Sequence, residues 1–112
     1  MTDAENIVVL VTTISIEEAQ KIAGLLLSQK KVACVNIIKE ADSMFWWKGK
    51  IETARESLML IKSNRSRLDD IVSIVKSIHS YEVPEIIAIP ITGGSTEYLN
   101  WMGQELTGDT ER

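Results

Sequence analysis

The 112-residue chain has a single cysteine, Cys34, and lacks any long hydrophobic run. A lone cysteine cannot form an intrachain disulfide, which fits a reducing compartment and excludes a multi-cysteine metal site within one chain. The longest uninterrupted apolar run, residues 7–11, is far shorter than the roughly 20 residues that a membrane-spanning helix needs. The first six residues are acidic and polar, whereas a secretory signal begins with basic residues and continues with apolar ones. We therefore predict a cytoplasmic protein.

An excess of basic charge and the common catalytic motifs are also missing. Twelve basic and sixteen acidic residues give a net charge of −4, which repels phosphate backbones and argues against nucleic acid as a partner. The sequence contains no P-loop, no G-x-G-x-x-G after a strand, no H-E-x-x-H and no G-x-S-x-G. The usual signatures of phosphate binding, dinucleotide binding, zinc proteolysis and serine hydrolysis are thereby excluded.

The hydrophobic pattern predicts one domain, residues 1–112, with the element order β-α-β-β-α-β-α. Its core spans about residues 6–106, and we expect the polar tail, residues 107–112, to fray. The first six elements form a split βαβ repeat, whose right-handed crossovers put two helices on one face of a four-stranded antiparallel sheet. The fold class is therefore α+β, a ferredoxin-like sandwich with a long β-hairpin and an extra C-terminal helix. Because the strands are apolar on both faces, the uncovered face needs the last helix or other subunits as cover.

Local signals predict where several elements begin or lie. Ser15 with Glu18 matches a capping box, so we expect the first helix to begin there. Ser66 with Asp69 gives the same signal for the second helix. Pro90, in the last strand, lacks an N–H group and indicates an edge position or a strand end.

Residues 32–45 and 50–63 have strand character, and Lys48-Gly49 between them indicates the turn of a long β-hairpin. At about 3.3 Å per residue the strands would reach roughly 45 Å, whereas a compact domain of this size is about 35 Å across. The hairpin must therefore bend or project. Two of the three tryptophans and the only phenylalanine lie near its tip. Since burying each ring is worth about 1.5–3 kcal/mol, we expect a partner subunit to cover them.

A few side chains have the types that carry chemistry. Cys34 is either a small core residue or a ligand or nucleophile. His79, which ends the second predicted helix, is either a helix-terminal cap or a ligand or acid–base group. Glu52, Glu56 and Lys62 share one parity along their strand, which predicts either a solvated rim with a charge pair or a site for a hard cation.

Five collinear segments carry a family resemblance: ACVN at 33–36, FWWKGKIE at 45–52, LIKS at 60–63, HSYEVPE at 79–85 and YLNW at 98–101. Together, from about Ile7 to Leu106, the chain resembles the CutA divalent-cation-tolerance family. The resemblance implies a homotrimer of ferredoxin-like subunits, similar in architecture to the PII signalling proteins, in which the long hairpins link the subunits. It also implies a role in divalent-cation tolerance, with copper or another divalent metal as the ligand, and no accepted enzymatic reaction.

The resemblance further implies which residues form the site. It places a ligand-binding cleft between subunits, lined by Trp47, Lys48, Glu52, Lys62, Tyr81, Glu82 and Pro84. A metal ion would be bound by Cys34 and His79. The sequence departs from the family at Ser80, where many members have proline, and at Phe45, where tyrosine is common.

Two other functions are compatible with the same residues. A PII-like signalling or scaffold protein would bind an anionic metabolite in the cleft through Lys48 and Lys62. An uncharacterised enzyme would use His79 or Tyr81 as its acid–base group. The RNA-binding version of the fold is not expected, because none of the strands carries its aromatic motif.

Overall fold

A computed structural model describes residues 5–107 of the chain. In chain order the elements are β1 (Asn6–Thr13), α1 (Ile16–Ser28), β2 (Cys34–Trp47), β3 (Lys50–Asn64), a 3-10 turn (Arg65–Arg67), α2 (Leu68–Ile78), β4 (Ile86–Pro90) and α3 (Thr96–Thr107). The predicted order is confirmed, with the 3-10 turn added. Thr107 closes α3, and the remainder of the tail that was expected to fray lies outside the described residues. None of the described helices is both long and apolar enough to cross a bilayer.

The four strands form one antiparallel sheet in the order β2-β3-β1-β4. The continuously apolar β1 is a central strand, paired with β3 on one side and β4 on the other. Because β4 lies at the edge, Pro90 can be accommodated without interrupting a ladder on its outer side. The ferredoxin-like architecture and the edge position of Pro90 are therefore confirmed.

The two faces of the sheet differ in what covers them. Odd-numbered residues of β1 and β3 pack against α1 and α2 and form the core, which includes Ile7, Val9, Val11, Ile22, Leu26, Met59, Ile61, Ile71 and Val75. Even-numbered residues point to the opposite face. There Leu10 pairs with both Leu60 and Ile87, and Ile87 is 51% exposed. We call this second surface the open face, and it is the uncovered side expected from the sequence.

Helix α3 covers only part of the open face. Its side chains Met102 and Leu106 are fully buried, whereas Trp101 remains exposed. The Lys30 ammonium forms an ion pair with Glu105 at 3.3 Å. The Arg67 guanidinium donates to the carbonyl oxygen of Leu106. These contacts fix the last two turns of the helix beside the ends of α1 and β3.

The two predicted helix starts have different outcomes. The Ser15 hydroxyl accepts a hydrogen bond from the Glu18 N–H at 3.1 Å, so the first cap is confirmed. The second is wrong, because α2 begins at Leu68 and has no side-chain cap. The Ser66 hydroxyl instead donates to Asn64 Oδ1 at 2.7 Å. This local bond at the end of β3 competes with capping and accompanies the 3-10 turn.

The hairpin of β2 and β3 both bends and projects. Lys48 and Gly49 form a two-residue turn with φ values of 51° and 82°, the positive values that match the twist of the strands. Lys39 and Glu40 together oppose Ser57, which makes a β-bulge, and the Ser57 hydroxyl donates to the Lys39 carbonyl at 2.8 Å. Beyond the bulge the strands continue as an arm, residues 41–56, and the molecule is 47 Å long. The prediction that the hairpin bends or projects is confirmed.

Candidate functional site

A large cleft lies between the arm and the loop that follows α2. Its volume is about 1070 Å³. One wall comes from the arm, and the other from the loop of residues 80–85, with Thr12 at the end of β1 as the floor. The bulge re-aims the arm where it leaves the sheet, so the arm stands opposite the loop and does not lie on the core.

The cleft is acidic and partly aromatic. Of the sixteen described residues that line it, four are glutamates and none is lysine, arginine or histidine; the glutamates are Glu52, Glu56, Glu82 and Glu85. Phe45 and Trp47 share its arm wall with Glu52, since Phe45 is the cross-strand partner of that glutamate. A concave surface lined by one sign of charge attracts counter-ions, so this cleft favours a cation over an anion.

Side-chain hydrogen bonds fix the base of the loop. His79 Nε2 lies 2.7 Å from the carbonyl oxygen of Thr12, and the Tyr81 N–H donates to His79 Nδ1 at 3.0 Å. The Ser80 N–H donates to a Glu18 carboxylate oxygen at 2.7 Å. The loop is thus attached both to the end of β1 and to the first turn of α1.

The Tyr81 side chain connects the loop to the arm. Its hydroxyl donates to Glu56 Oε2 at 2.6 Å, a short charge-assisted hydrogen bond. Glu56 is only 6% exposed, so this phenol supplies a partner that water would otherwise provide. Burial raises the pKa of Tyr81 well above its ordinary value of 10, and the bond to the Glu56 carboxylate raises it further. Tyr81 is therefore a hydrogen-bond donor at neutral pH.

Most of the cleft residues named from the family resemblance lie together. Trp47, Glu52, Tyr81, Glu82 and Pro84 all line the cleft of a single chain. Lys48 lies in the adjoining hairpin turn, and its ammonium is 5.8 Å from the centroid of the Trp47 ring.

Lys62 is placed elsewhere, on the open face beside Cys34. The two residues are cross-strand partners, and the Lys62 ammonium donates to Asn36 Oδ1. The Cys34 thiol is 3.8 Å from the same amide oxygen, and the Tyr98 ring centroid is 6.0 Å from the ammonium. Burial raises the pKa of the Tyr98 phenol, and the neighbouring Cys34 adds to the effect.

The two residues named as metal ligands are far apart in one chain. Cys34 is level with Val8 across the sheet, whereas His79 binds the carbonyl of Thr12, four residues further along β1. That separation is about 13 Å along the strand direction alone, too far for one ion to reach both side chains. Residues 5–107 contain no group of three or more histidine, cysteine or acidic side chains close enough to hold a metal ion.

Several residues of this region are absent from the predicted site. Among them, Glu56 is predicted only to share a strand face with Glu52, Glu18 only to form a capping box, and neither Glu85 nor Thr12 has a predicted role in the site. The parity shared by Glu52 and Glu56 was a usable signal, because both line the cleft. Glu18 carried no signal beyond its capping spacing, since its bond to Ser80 joins residues 62 positions apart.

Glu18 should contribute stability that depends on pH. Burial opposes its ionisation, but hydrogen bonds from the Ile14 and Ser80 N–H groups outweigh this and hold the pKa of Glu18 below its ordinary value of 4.5. A depressed folded pKa gives stability that is present above pH 4.5 and is lost as the pH falls through the lower folded value. We expect Glu18→Gln to lower the free energy of unfolding by about 1 kcal/mol at pH 7, and the difference from wild type to shrink below pH 4.5.

Urea unfolding at several pH values and one protein concentration measures this effect. Glu17→Gln is the matched control, because Glu17 lies in the same first turn of α1 and feels the same helix dipole. A difference between Glu18→Gln and wild type that stays constant from pH 7 to pH 3 would contradict the prediction.

Comparisons with known proteins place the chain among related sequences. The family model of the CutA1 divalent ion tolerance protein matches residues 7–105. The chloroplastic protein CutA 1 of Oryza sativa subsp. japonica is 45% identical over 101 residues, which cover 90% of this chain and 57% of that protein. The divalent-cation tolerance protein CutA of Archaeoglobus fulgidus is 45% identical over 94 residues, which cover 84% of this chain and 91% of that protein. The chain therefore spans little more than half the length of the plant relative.

A solved structure has the same fold. It is described as the periplasmic divalent cation tolerance protein CutA from Archaeoglobus fulgidus, and it superimposes with a TM-score of 0.87 at 42% identity. The superposition covers 90% of this chain and 98% of that one. With the family model matching residues 7–105 as well, the chain belongs to the CutA1 divalent ion tolerance family.

Proposed function

We propose that the protein acts in divalent-cation tolerance, as a non-enzymatic homotrimer that binds a divalent metal ion in the acidic cleft. The observation that carries the proposal is the lining of that cleft, with four glutamates and no basic side chain. The names of the relatives point to the same kind of ligand, since they are called divalent-cation tolerance proteins.

Assembly into a trimer is supported by two unpartnered apolar surfaces. The open face exposes Ile87 and Ile89, and the arm exposes Met44, Trp46 and Ile51 by 60% or more. Patches of this kind mark interfaces in proteins. Because no group of three ligands is close enough within residues 5–107 of one chain, a complete coordination shell would draw on carboxylates of a neighbouring subunit or on water.

The chemistry of the donors favours a hard cation. Carboxylate oxygens suit Mg²⁺, Ca²⁺ and Mn²⁺, whereas copper prefers nitrogen and sulfur ligands. Copper is therefore the second metal to test, with Cys34 as its sulfur donor. In an assembly, copies of Cys34 from different chains would supply more than one thiol.

The PII-like alternative is not favoured by the charge of the cleft. It requires lysines that receive an anionic metabolite, but Lys62 lies on the open face and Lys48 lies in the turn outside the lining. An anion entering the cleft would meet Glu52, Glu82 and Glu85. The acidic lining supports a cation in its place.

Calorimetric titration of Mn²⁺ and of Cu²⁺ into the purified protein tests the proposal. The double variant Glu52→Gln/Glu82→Gln removes two carboxylates from opposite walls of the cleft, and we expect it to weaken Mn²⁺ binding by about tenfold or more. The matched control is Glu17→Gln/Glu97→Gln, which makes the same change in net charge on α1 and α3. Equal affinity in the two double variants, or no binding to wild type, would refute the cleft as a metal site. If Cys34→Ala is the only variant that loses Cu²⁺ binding, copper is assigned to the open face.

We also propose a cytoplasmic location, which the single free cysteine supports. Relatives are described as chloroplastic and as periplasmic, so the compartment differs within the family. Cell fractionation with an antibody to the protein would decide it, and recovery outside the cytoplasm would overturn the proposal.

A further inference from the structure

The hydrogen bonds of His79 determine which of its ring nitrogens carries the proton. The Tyr81 N–H can only donate, so His79 Nδ1 must present its lone pair. The carbonyl oxygen of Thr12 can only accept, so His79 Nε2 must carry hydrogen. These two contacts together fit the Nε2–H tautomer, with both ring nitrogens engaged.

His79 stands where α2 passes into the loop that forms one wall of the cleft. It is the C-cap residue of α2, with an extended backbone (φ −76°, ψ 142°), and its ring packs against that of Tyr81 at a centroid distance of 4.8 Å. Glu18 accepts from the next backbone N–H, at Ser80, and Glu56 accepts from the Tyr81 hydroxyl. The first two residues of the loop are thus fixed to β1, to α1 and to the arm, and the loop then presents Glu82 and Glu85 to the cleft.

We propose that His79 is a positioning residue of the cleft and not a metal ligand: it holds the loop of residues 80–85 in place through the Thr12 carbonyl and the Tyr81 N–H. The cation-binding part of this inference rests on the function proposed above. A metal ion on Nδ1 would displace the Tyr81 N–H, and a metal ion on Nε2 would displace the Thr12 carbonyl. Either event would break one of the links that fix the loop carrying Glu82 and Glu85, so ligation by His79 would loosen this wall of the cleft.

Nitrogen-15 NMR of the imidazole at pH 7.5 tests the tautomer without reference to any ligand. We expect one ring nitrogen with the shift of a protonated pyrrole-type nitrogen, assigned to Nε2, and one with the shift of an unprotonated nitrogen, assigned to Nδ1. Adding Zn²⁺, a diamagnetic probe, should leave both signals in place. A shift of either signal in proportion to bound Zn²⁺, or an Nδ1–H tautomer, would overturn the inference.

Three variants of His79 separate positioning from ligation. In His79→Asn the side-chain oxygen can still accept from the N–H two residues on, as in an Asx-turn, so the link to Tyr81 is retained. His79→Gln can reach the Thr12 carbonyl with its amide but offers no acceptor near the Tyr81 N–H. His79→Ala removes both links.

For a positioning residue we expect Mn²⁺ affinity to fall about tenfold or more in His79→Ala, which loses both links, and to fall less in His79→Asn and His79→Gln, which each keep one. Equal losses in all three variants would identify His79 as a ligand. Unchanged affinity in all three, with each shown to be folded by circular dichroism, would reduce it to a structural cap. Both results overturn the proposal. Lys76→Ala, on the last turn of α2, controls for changes near the end of that helix.

Hydrogen exchange keeps this inference distinct from the proposed function. The Tyr81 amide should be protected in wild type and in His79→Asn, and should exchange at least tenfold faster in His79→Ala and His79→Gln. If wild type binds no Mn²⁺ but shows this pattern, the cleft function fails and the fixing of the loop stands. If the Tyr81 amide exchanges equally in all four proteins, the loop does not depend on His79.

Discussion

Replacing Tyr81 with phenylalanine should lower the free energy of unfolding by about 1.5–3 kcal/mol at neutral pH, because the hydrogen bond it removes has a charged acceptor. That bond joins the Tyr81 hydroxyl to Glu56 Oε2 at 2.6 Å, and Glu56 is 6% exposed. The phenylalanine ring fills the same space, so the loss reports the hydroxyl and not the packing. Urea unfolding at a fixed protein concentration measures the change.

The Tyr81 and Glu56 bond should also give the stability a defined alkaline limit. Burial and the Glu56 carboxylate favour the neutral phenol and raise the pKa of Tyr81 above 10. A raised folded pKa gives stability that is fully present below the unfolded value of about 10 and is lost as the pH rises through the folded value. The difference between wild type and Tyr81→Phe should therefore shrink above pH 10.

A double-mutant cycle with Glu56→Gln is the control for this assignment. The coupling between the two positions should account for most of the loss in Tyr81→Phe, since each single change removes one partner of the same bond. Additive effects of the two substitutions, or a difference that does not change with pH above 10, would show that the hydroxyl stabilises the fold by another route.

The hairpin shows how much of the fold the sequence predicts. Lys48-Gly49 between two strand-like runs identified the turn, and counting residues showed that the strands exceed the width of a compact domain. The bulge at Lys39 and Glu40 could not be predicted, because neither residue is a glycine or proline that would mark it. The bulge is accompanied by the Ser57 hydroxyl bond to the Lys39 carbonyl, a contact between residues 18 positions apart. Yet the bulge separates the arm from the sheet and so creates one wall of the cleft.

The candidate site shows more clearly what the sequence alone does not predict. Strand parity correctly grouped Glu52 with Glu56, but parity says nothing about distance along the strand. Lys62 lies ten residues beyond Glu52, about 33 Å in an extended strand, and so reaches a different part of the molecule. His79 is predicted as a metal ligand from its residue type and from the family resemblance. Its two hydrogen bonds, to residues at positions 12 and 81, are set by how α2 ends over β1 and leave no ring nitrogen free.

Replacing Ile87 with lysine should convert the proposed trimer into single chains. Ile87 lies on edge strand β4 opposite Leu10, at the β4 side of the open face, and is 51% exposed in one chain. A lysine there remains solvated in the isolated chain, so the fold is retained. In an assembly that covers this face, however, the ammonium would lose its water without gaining a partner, and the burial of isoleucine, worth about 1.5–3 kcal/mol per copy, would be lost as well. Sedimentation at micromolar concentration measures the mass.

Leu27→Lys is the matched control, because Leu27 is 42% exposed on α1, which packs against the opposite side of the sheet. It introduces the same charge at a similar exposure and should leave the mass unchanged. Linkage gives a second measurement: if unfolding requires dissociation, the melting temperature of wild type and of Leu27→Lys rises with protein concentration, and that of Ile87→Lys does not. Two results would show that the open face is not the surface through which the subunits meet. One is wild type that sediments as a single chain, and the other is Ile87→Lys that keeps the mass and the concentration dependence of wild type.

Because the cleft lacks three neighbouring ligands within one described chain, Ile87→Lys should also bind Mn²⁺ more weakly than Leu27→Lys, although neither substitution lies among the cleft residues.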